Sequence, residues 1–174
     1  MPSQQVTIYT DGACTGNPGP GGYGIVLQHG RHRKELSGGY RLTTNNRMEL
    51  MAAIVGLRAL KTKCAVTIYS DSKILVEGLT LGTARCAKGN NWRRGKKKKK
   101  TKKANSDLWE QILDLERRHE VTLVWVKGHA GQPDNERADQ LAVEAARQSE
   151  LEIDSAYEKG ETDIAASEEA PLFD

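Results

Sequence analysis

The hydrophobic positions along this chain change period several times. "QVTIYT" alternates apolar with polar side chains and is rich in β-branched residues, and "YGIVLQHG" and "KELSGGYRL" repeat the strand-like pattern with glycine and short polar turns between them. Three strands in quick succession predict an antiparallel meander. The period then turns helical: "NNRMELMAAIVGLRALK" is apolar nearly all round a helix, with asparagine at its head as the cap, and predicts a buried helix. "AVTIYSD" returns as a strand and "SKILVEGLTLG" as a short helix. "SDLWEQILDLERRH" follows as a helix with Leu108, Ile112 and Leu115 on one stripe, then "VTLVWV" as a strand and "NERADQLAVEAARQ" as a last helix. A meander followed by alternating strands and helices predicts an α/β fold whose mixed sheet carries helices on its faces.

At 174 residues the chain is long enough for one compact domain and short for two. Charge divides it further. Residues 85 to 103 hold eleven Lys and Arg and no acid, whereas residues 150 to 174 hold nine acids against Lys159. A neutral body therefore carries a strongly basic segment and an acidic end, an asymmetry that points to a polyanionic partner. The predicted organisation is a catalytic domain over 1–149, including a basic protrusion at 85–103, and an acidic, disordered tail over 150–174. Cys14, Cys64 and Cys86 are odd in number and lack CxxC spacing, so neither a disulfide framework nor a zinc site is indicated. No apolar run approaches the roughly 20 residues needed to span a bilayer. The expectation is a cytoplasmic, soluble protein.

Gly19, Gly21 and Gly24 match G-x-G-x-x-G, but the dinucleotide fingerprint needs a helix after the glycines. Pro18 and Pro20 interrupt the motif and a strand pattern follows it, so a tight connection between strands is the better reading.

Several acids stand where acids are costly. Glu49 sits in the apolar run "MELMAAIVGL", where a lone carboxylate needs a cation, strong donors or an ion-pair partner such as Arg47 or Arg58. Asp11 and Asp71 each close a "VTIY" strand. If the two strands are adjacent and parallel, both acids emerge at the carboxyl end of the sheet, where open sheets bind ligands. "VTLVWV" leads into "KGHAGQPDNERAD", which puts His129 in a glycine-flanked loop and Asp139 in the first turn of the last helix. Alone, Asp139 could complement the helix dipole and His129 could be an ordinary loop residue. Four carboxylates and one histidine with no thiol make a hard-oxygen set that suits magnesium or manganese better than zinc. Two such ions about 4 Å apart would clamp the attacking and leaving oxygens of a phosphoryl displacement.

The blocks "YTDGACTGNPGPGGYG", "TTNNRMELMAA", "YSDS" and "WVKGHAGQPDNERAD", in this order and at this spacing, resemble ribonuclease H of type 1, the bacterial and cyanobacterial kind. The resemblance runs from about Val6 to Ala146. It implies a ribonuclease H-like fold with a five-stranded mixed sheet and helices on both faces. The implied activity is endonucleolytic cleavage of the RNA strand of RNA/DNA hybrids, leaving 5′-phosphate and 3′-hydroxyl ends. Asp11, Glu49, Asp71 and Asp139 would be the catalytic, metal-binding acids for two Mg2+ (or Mn2+) ions, with His129 assisting turnover. Asn17, Thr44, Asn45 and Arg47 would contact the substrate, whose 2′-hydroxyls and A-like shape are read from the shallow minor groove. Lys73 stands where the family often has glutamine, which turns one contact into a charge contact. In the protrusion, Trp92, Arg93, Arg94, Lys96 and Lys97 would add substrate contacts. A monomer is expected.

Two other readings compete. A non-catalytic module that binds hybrids or double-stranded RNA would need only the basic segment, and the intact acid set argues against it. A transposase or integrase relative could gather similar acids, but the chain has no extra domain for synapsis. The ending "SEEAPLFD" also raises docking to a replication or repair protein, or self-association with the lysine tract.

Overall fold

The fold is described from a computed structural model, over residues 4–82, 84, 93–94, 101–102, 105–128 and 131–161. The meander is present as β1 (Gln4–Cys14), β2 (Gly19–His29) and β3 (His32–Thr43). They lead into α1 (Asn45–Arg58), β4 (Cys64–Ser70), α2 (Lys73–Thr80), α3 (Ser106–Arg118), β5 (Glu120–Trp125), α4 (Pro133–Ala146) and a short α5 (Ser155–Glu158). The main sheet has the order β3-β2-β1-β4-β5. The β1–β2 and β2–β3 pairs are antiparallel, and β1–β4 and β4–β5 are parallel. From the basic segment, Arg93–Arg94 pairs antiparallel with Thr101–Lys102 as a separate two-stranded unit.

Strand alternation separates two cores. Val6 and Ile8 of β1, Ile25 and Leu27 of β2, and Val66 and Ile68 of β4 point to one face, where α1 and α3 cover them with Leu50, Ile54, Leu57, Trp109 and Ile112. Residues one position out of step, Tyr9 and Val26, meet Ala138 and Leu141 of α4 on the other face. The two "VTIY" runs lie side by side in register, Val6 against Val66 through Tyr9 against Tyr69, and the two tyrosine rings stack at 5.1 Å.

Two glycine contacts decide how closely helices approach. A Cβ on Gly24 would fall 2.1 Å from the Ala138 carbonyl, so β2 and α4 touch through their backbones. On the other face a Cβ on Gly12 would fall 2.5 Å from the Glu49 amide. The glycines of the abandoned nucleotide motif thus serve packing: Gly21 lies against Thr43 and Met48, and Gly24 against α4.

Three local expectations are corrected. The cap of α1 is Thr44, whose side chain accepts from the Arg47 amide, not an asparagine. The last helix starts at Pro133, with Gln132 accepting from Asn135 N at 2.6 Å, because proline suits the first helical position. Asp139 therefore lies beyond the first turn, and the helix-dipole explanation for it fails. Finally, the acidic end is not wholly disordered. Glu152 forms a bridge with Tyr40, its amide donates to Gly39 O at 3.2 Å, and its carbonyl accepts from Arg41 N at 2.9 Å. Arg41 grips Glu158, and Asp154 is buried. The high charge of this stretch hides its few specific contacts; residues 162–174 lie outside the described part. No helix of the described residues is long and apolar enough to cross a membrane.

Candidate active site

Four elements each deliver one acid to the same end of the sheet. Asp11 lies within β1 opposite Gly24, and Asp71 directly follows β4. The register that sets Tyr9 beside Tyr69 brings these aspartates level. Glu49 reaches them because Gly12 lets α1 sit against β1, and Asp139 because Gly24 lets α4 do so from the opposite face. One carboxylate oxygen each from Asp11, Glu49 and Asp71 lie within 4.8 Å of one another. Asp139 lines the same small cleft of about 20 Å3 as Asp11 and Asp71, together with Thr10, Gly128 and Asn135. That is room for a water-sized species.

The electrostatics of this cluster are costly. Burial, then the Asp71 charge and the neighbouring Asp139 carboxyl, push Asp11 up to about 8, while the Gly12 amide donating at 2.9 Å partly opposes them. Burial and the charges of Asp11 and Asp71 hold Glu49 well above the usual carboxylate range. The Oε2 of Glu49, Oγ1 of Thr10 and Oδ1 of Asn135 are buried without hydrogen-bond partners among the described residues. Like charges this close ionise together only with cations between them. An all-oxygen donor set with an orphaned buried carboxylate oxygen fits a hard divalent cation.

The other predicted site residues fare unequally. Asn17 Oδ1 accepts from the Asn45 amide at 3.0 Å, tying the glycine-rich loop to the start of α1. Thr44 sits beside them as the helix cap. Lys73 is exposed, with its Nζ 5.7 Å over the Trp125 ring. Arg47 is a correction: it is only 1% exposed and cannot face a nucleic acid. Its guanidinium is held by Asp107 through two bonds (2.9 and 2.8 Å) and by Asp154 through two more (2.8 and 3.0 Å). Neither does it pair with Glu49. Arg93 and Arg94 are described only as a strand; Trp92, Lys96, Lys97 and His129 lie outside the described residues. Sequence reasoning missed Trp125, whose indole N–H donates to the Asp71 carbonyl at 3.3 Å. An exposed tryptophan ending an edge strand directly before the histidine loop was the available signal.

The RNase H family model matches residues 3–147. The chain belongs to the RNase H family. It is 58% identical over 156 residues to a Ribonuclease H of Syntrophus aciditrophicus, covering 90% of this chain and 88% of that protein. To a Ribonuclease H of Rippkaea orientalis it is 59% identical over 155 residues, covering 89% and 93%. Among solved structures it is similar to LC9-RNase H1, a type 1 RNase H with the type 2 active-site motif. That match has a TM-score of 0.74 and 31% identity over 97% of this chain and 85% of the other. LC11-RNase H1, solved in complex with an RNA/DNA hybrid, shares the fold at a TM-score of 0.59 and 24% identity, over 81% of this chain and 96% of that one.

Proposed function

We propose that this RNase H family member is an endoribonuclease that hydrolyses the RNA strand of RNA/DNA hybrids, with Asp11, Glu49, Asp71 and Asp139 holding two Mg2+ or Mn2+ ions. The observation that carries the reading is the meeting of Asp11, Glu49 and Asp71 within 4.8 Å, with Asp139 lining the same cleft as the two aspartates. Bound there, the divalent ions would activate water and stabilise the departing 3′ oxygen.

The chain's own residues do the rest. The four carboxylates come from separate, closely packed elements, so their spacing is set by the fold before substrate arrives, which spares reorganisation during the reaction. Asn17, bonded to the Asn45 amide, and the capping Thr44 lie together at the start of α1, the helix that carries Glu49, and suit the sugar and phosphate of a strand in a shallow groove. The basic segment supplies charge that reads no sequence. We assign His129 to proton handling or product release.

The test is incubation of labelled hybrid with the protein and Mg2+, with single-stranded RNA, double-stranded RNA and duplex DNA as controls, followed by analysis of product ends. Cleavage of the RNA strand of the hybrid alone, leaving 5′-phosphates, is expected, with loss of cleavage in Asp11→Asn. Persistent hybrid binding with no cleavage would favour the binding-only module instead.

A further inference from the structure

Lys73 opens α2, directly after the capping Ser72 and two residues from Asp71. A cation at a helix N-terminus opposes the helix dipole, so the position gains nothing for α2 itself. Nor does it make an ion pair among the described residues. Glu77, one turn on, lines the same groove of about 340 Å3 as Lys73, Val76 and Trp125, yet the ammonium rests 5.7 Å over the indole instead. That distance is within the range of a cation–π contact.

Trp125 is itself oddly placed, 46% exposed at the end of an edge strand. Its ring cannot be core. Its N–H is bound to the Asp71 carbonyl, so the indole is fixed to the carboxylate cluster at one edge while its face carries the ammonium. A flexible lysine stem is thereby held near one place, and the cation stays free to exchange the ring for a stronger anion.

We propose that Lys73 and Trp125 form an anion subsite for a backbone phosphate next to the one being cut, with Lys73 as the contact and Trp125 as its positioning residue. The proposal rests on the hybrid reading above and names a charge contact, not a base or sugar contact, at this position. An ammonium is a point charge suited to phosphate. Holding it in advance lowers the ordering cost of binding.

The experiment measures hybrid affinity against salt in full-length protein carrying Asp11→Asn, so that binding is read without cleavage. Lys73→Gln should lower the log–log salt slope by roughly 0.7–0.9, so that the advantage of lysine shrinks about threefold between 50 and 200 mM salt. Lys73→Arg should restore the slope. Trp125→Leu should weaken binding at 50 mM salt, and adding it to Lys73→Gln should give no further loss. Trp125→Phe, which keeps a ring face but loses the N–H, should retain most of the affinity. An unchanged slope in Lys73→Gln, or fully additive losses in the double variant, would overturn the pairing. Failure of the underlying reading looks different: wild-type protein with Mg2+ would leave the hybrid intact whatever these slopes show.

Discussion

At the scale of single residues, Asp11 carries the sharpest consequence. Its carboxyl is pushed from 3.8 to about 8, so between those values the folded, metal-free protein keeps a proton that the unfolded chain releases. Stability must therefore fall as pH rises across that window and level off above it. Thermal melts of EDTA-treated protein at pH 5 and pH 8 should show the higher midpoint at pH 5, and Asp11→Asn should raise the pH 8 midpoint while abolishing hybrid cleavage. Added Mg2+ should narrow the gap for the wild type but not for the variant. The acids were legible because burying a carboxylate in an apolar run or repeating a strand onto an aspartate is costly without a reason. Arg47 was misjudged for the converse reason: arginine is common on nucleic-acid surfaces, and nothing local reveals that Asp107 and Asp154, far along the chain, enclose it.

At the scale of elements, the site depends on how closely α4 lies on β2. The Gly24 hydrogen points at the Ala138 carbonyl and the Leu141 Cβ, and the former is backbone that cannot swing away. Gly24→Ala should therefore shift α4, costing about 1–3 kcal/mol in urea unfolding, and reduce cleavage because Asp139 rides on the displaced turn. Gly30→Ala is the control. It faces open space at φ 60, so it should cost on the order of 1 kcal/mol through backbone strain and leave cleavage near wild type. Elements were readable where the period was long and clean: the paired "VTIY" runs, the apolar α1, the stripe of α3. The start of α4 was less so, because "QPDN" resembles a loop until proline is recognised as a first helical residue. Gly21 and Gly24 resembled a phosphate loop, since a glycine that admits a helix and one that admits a phosphate look alike in a sequence.

At the scale of the whole molecule, the end of the chain fastens the beginning of the active site. Asp154 accepts from Thr43 Oγ1 at 2.7 Å and from the Arg47 guanidinium, and so pins the junction of β3 and α1, with Glu49 two residues further on. Burial alone would raise the Asp154 carboxyl, but the bonds from Arg47 and Thr43 outweigh it and leave it below its usual value of 3.8. Its contribution is accordingly complete above that pH and lost on acidification, the opposite sense to Asp11. Ending the chain at Ser149 removes Asp154 and the Arg41–Glu158 pair, and leaves the buried guanidinium with Asp107 and Asn105 as its remaining partners. Breaking a buried pair costs about 3–5 kcal/mol, which in a protein of this size lowers the melting midpoint by roughly 6–20 °C. A chain ending at Glu161 keeps every described contact of the segment, and its midpoint should stay within about 2 °C of full length, the shift that roughly 0.5–1 kcal/mol produces. Asp154→Asn should reproduce most of the loss, and combining it with Arg47→Met and Asp107→Asn should recover part of it, because no charge of the cluster is then left without its partner. If the Ser149 truncation melts like the full chain, the segment is dispensable and Asp107 with Asn105 suffices to hold Arg47.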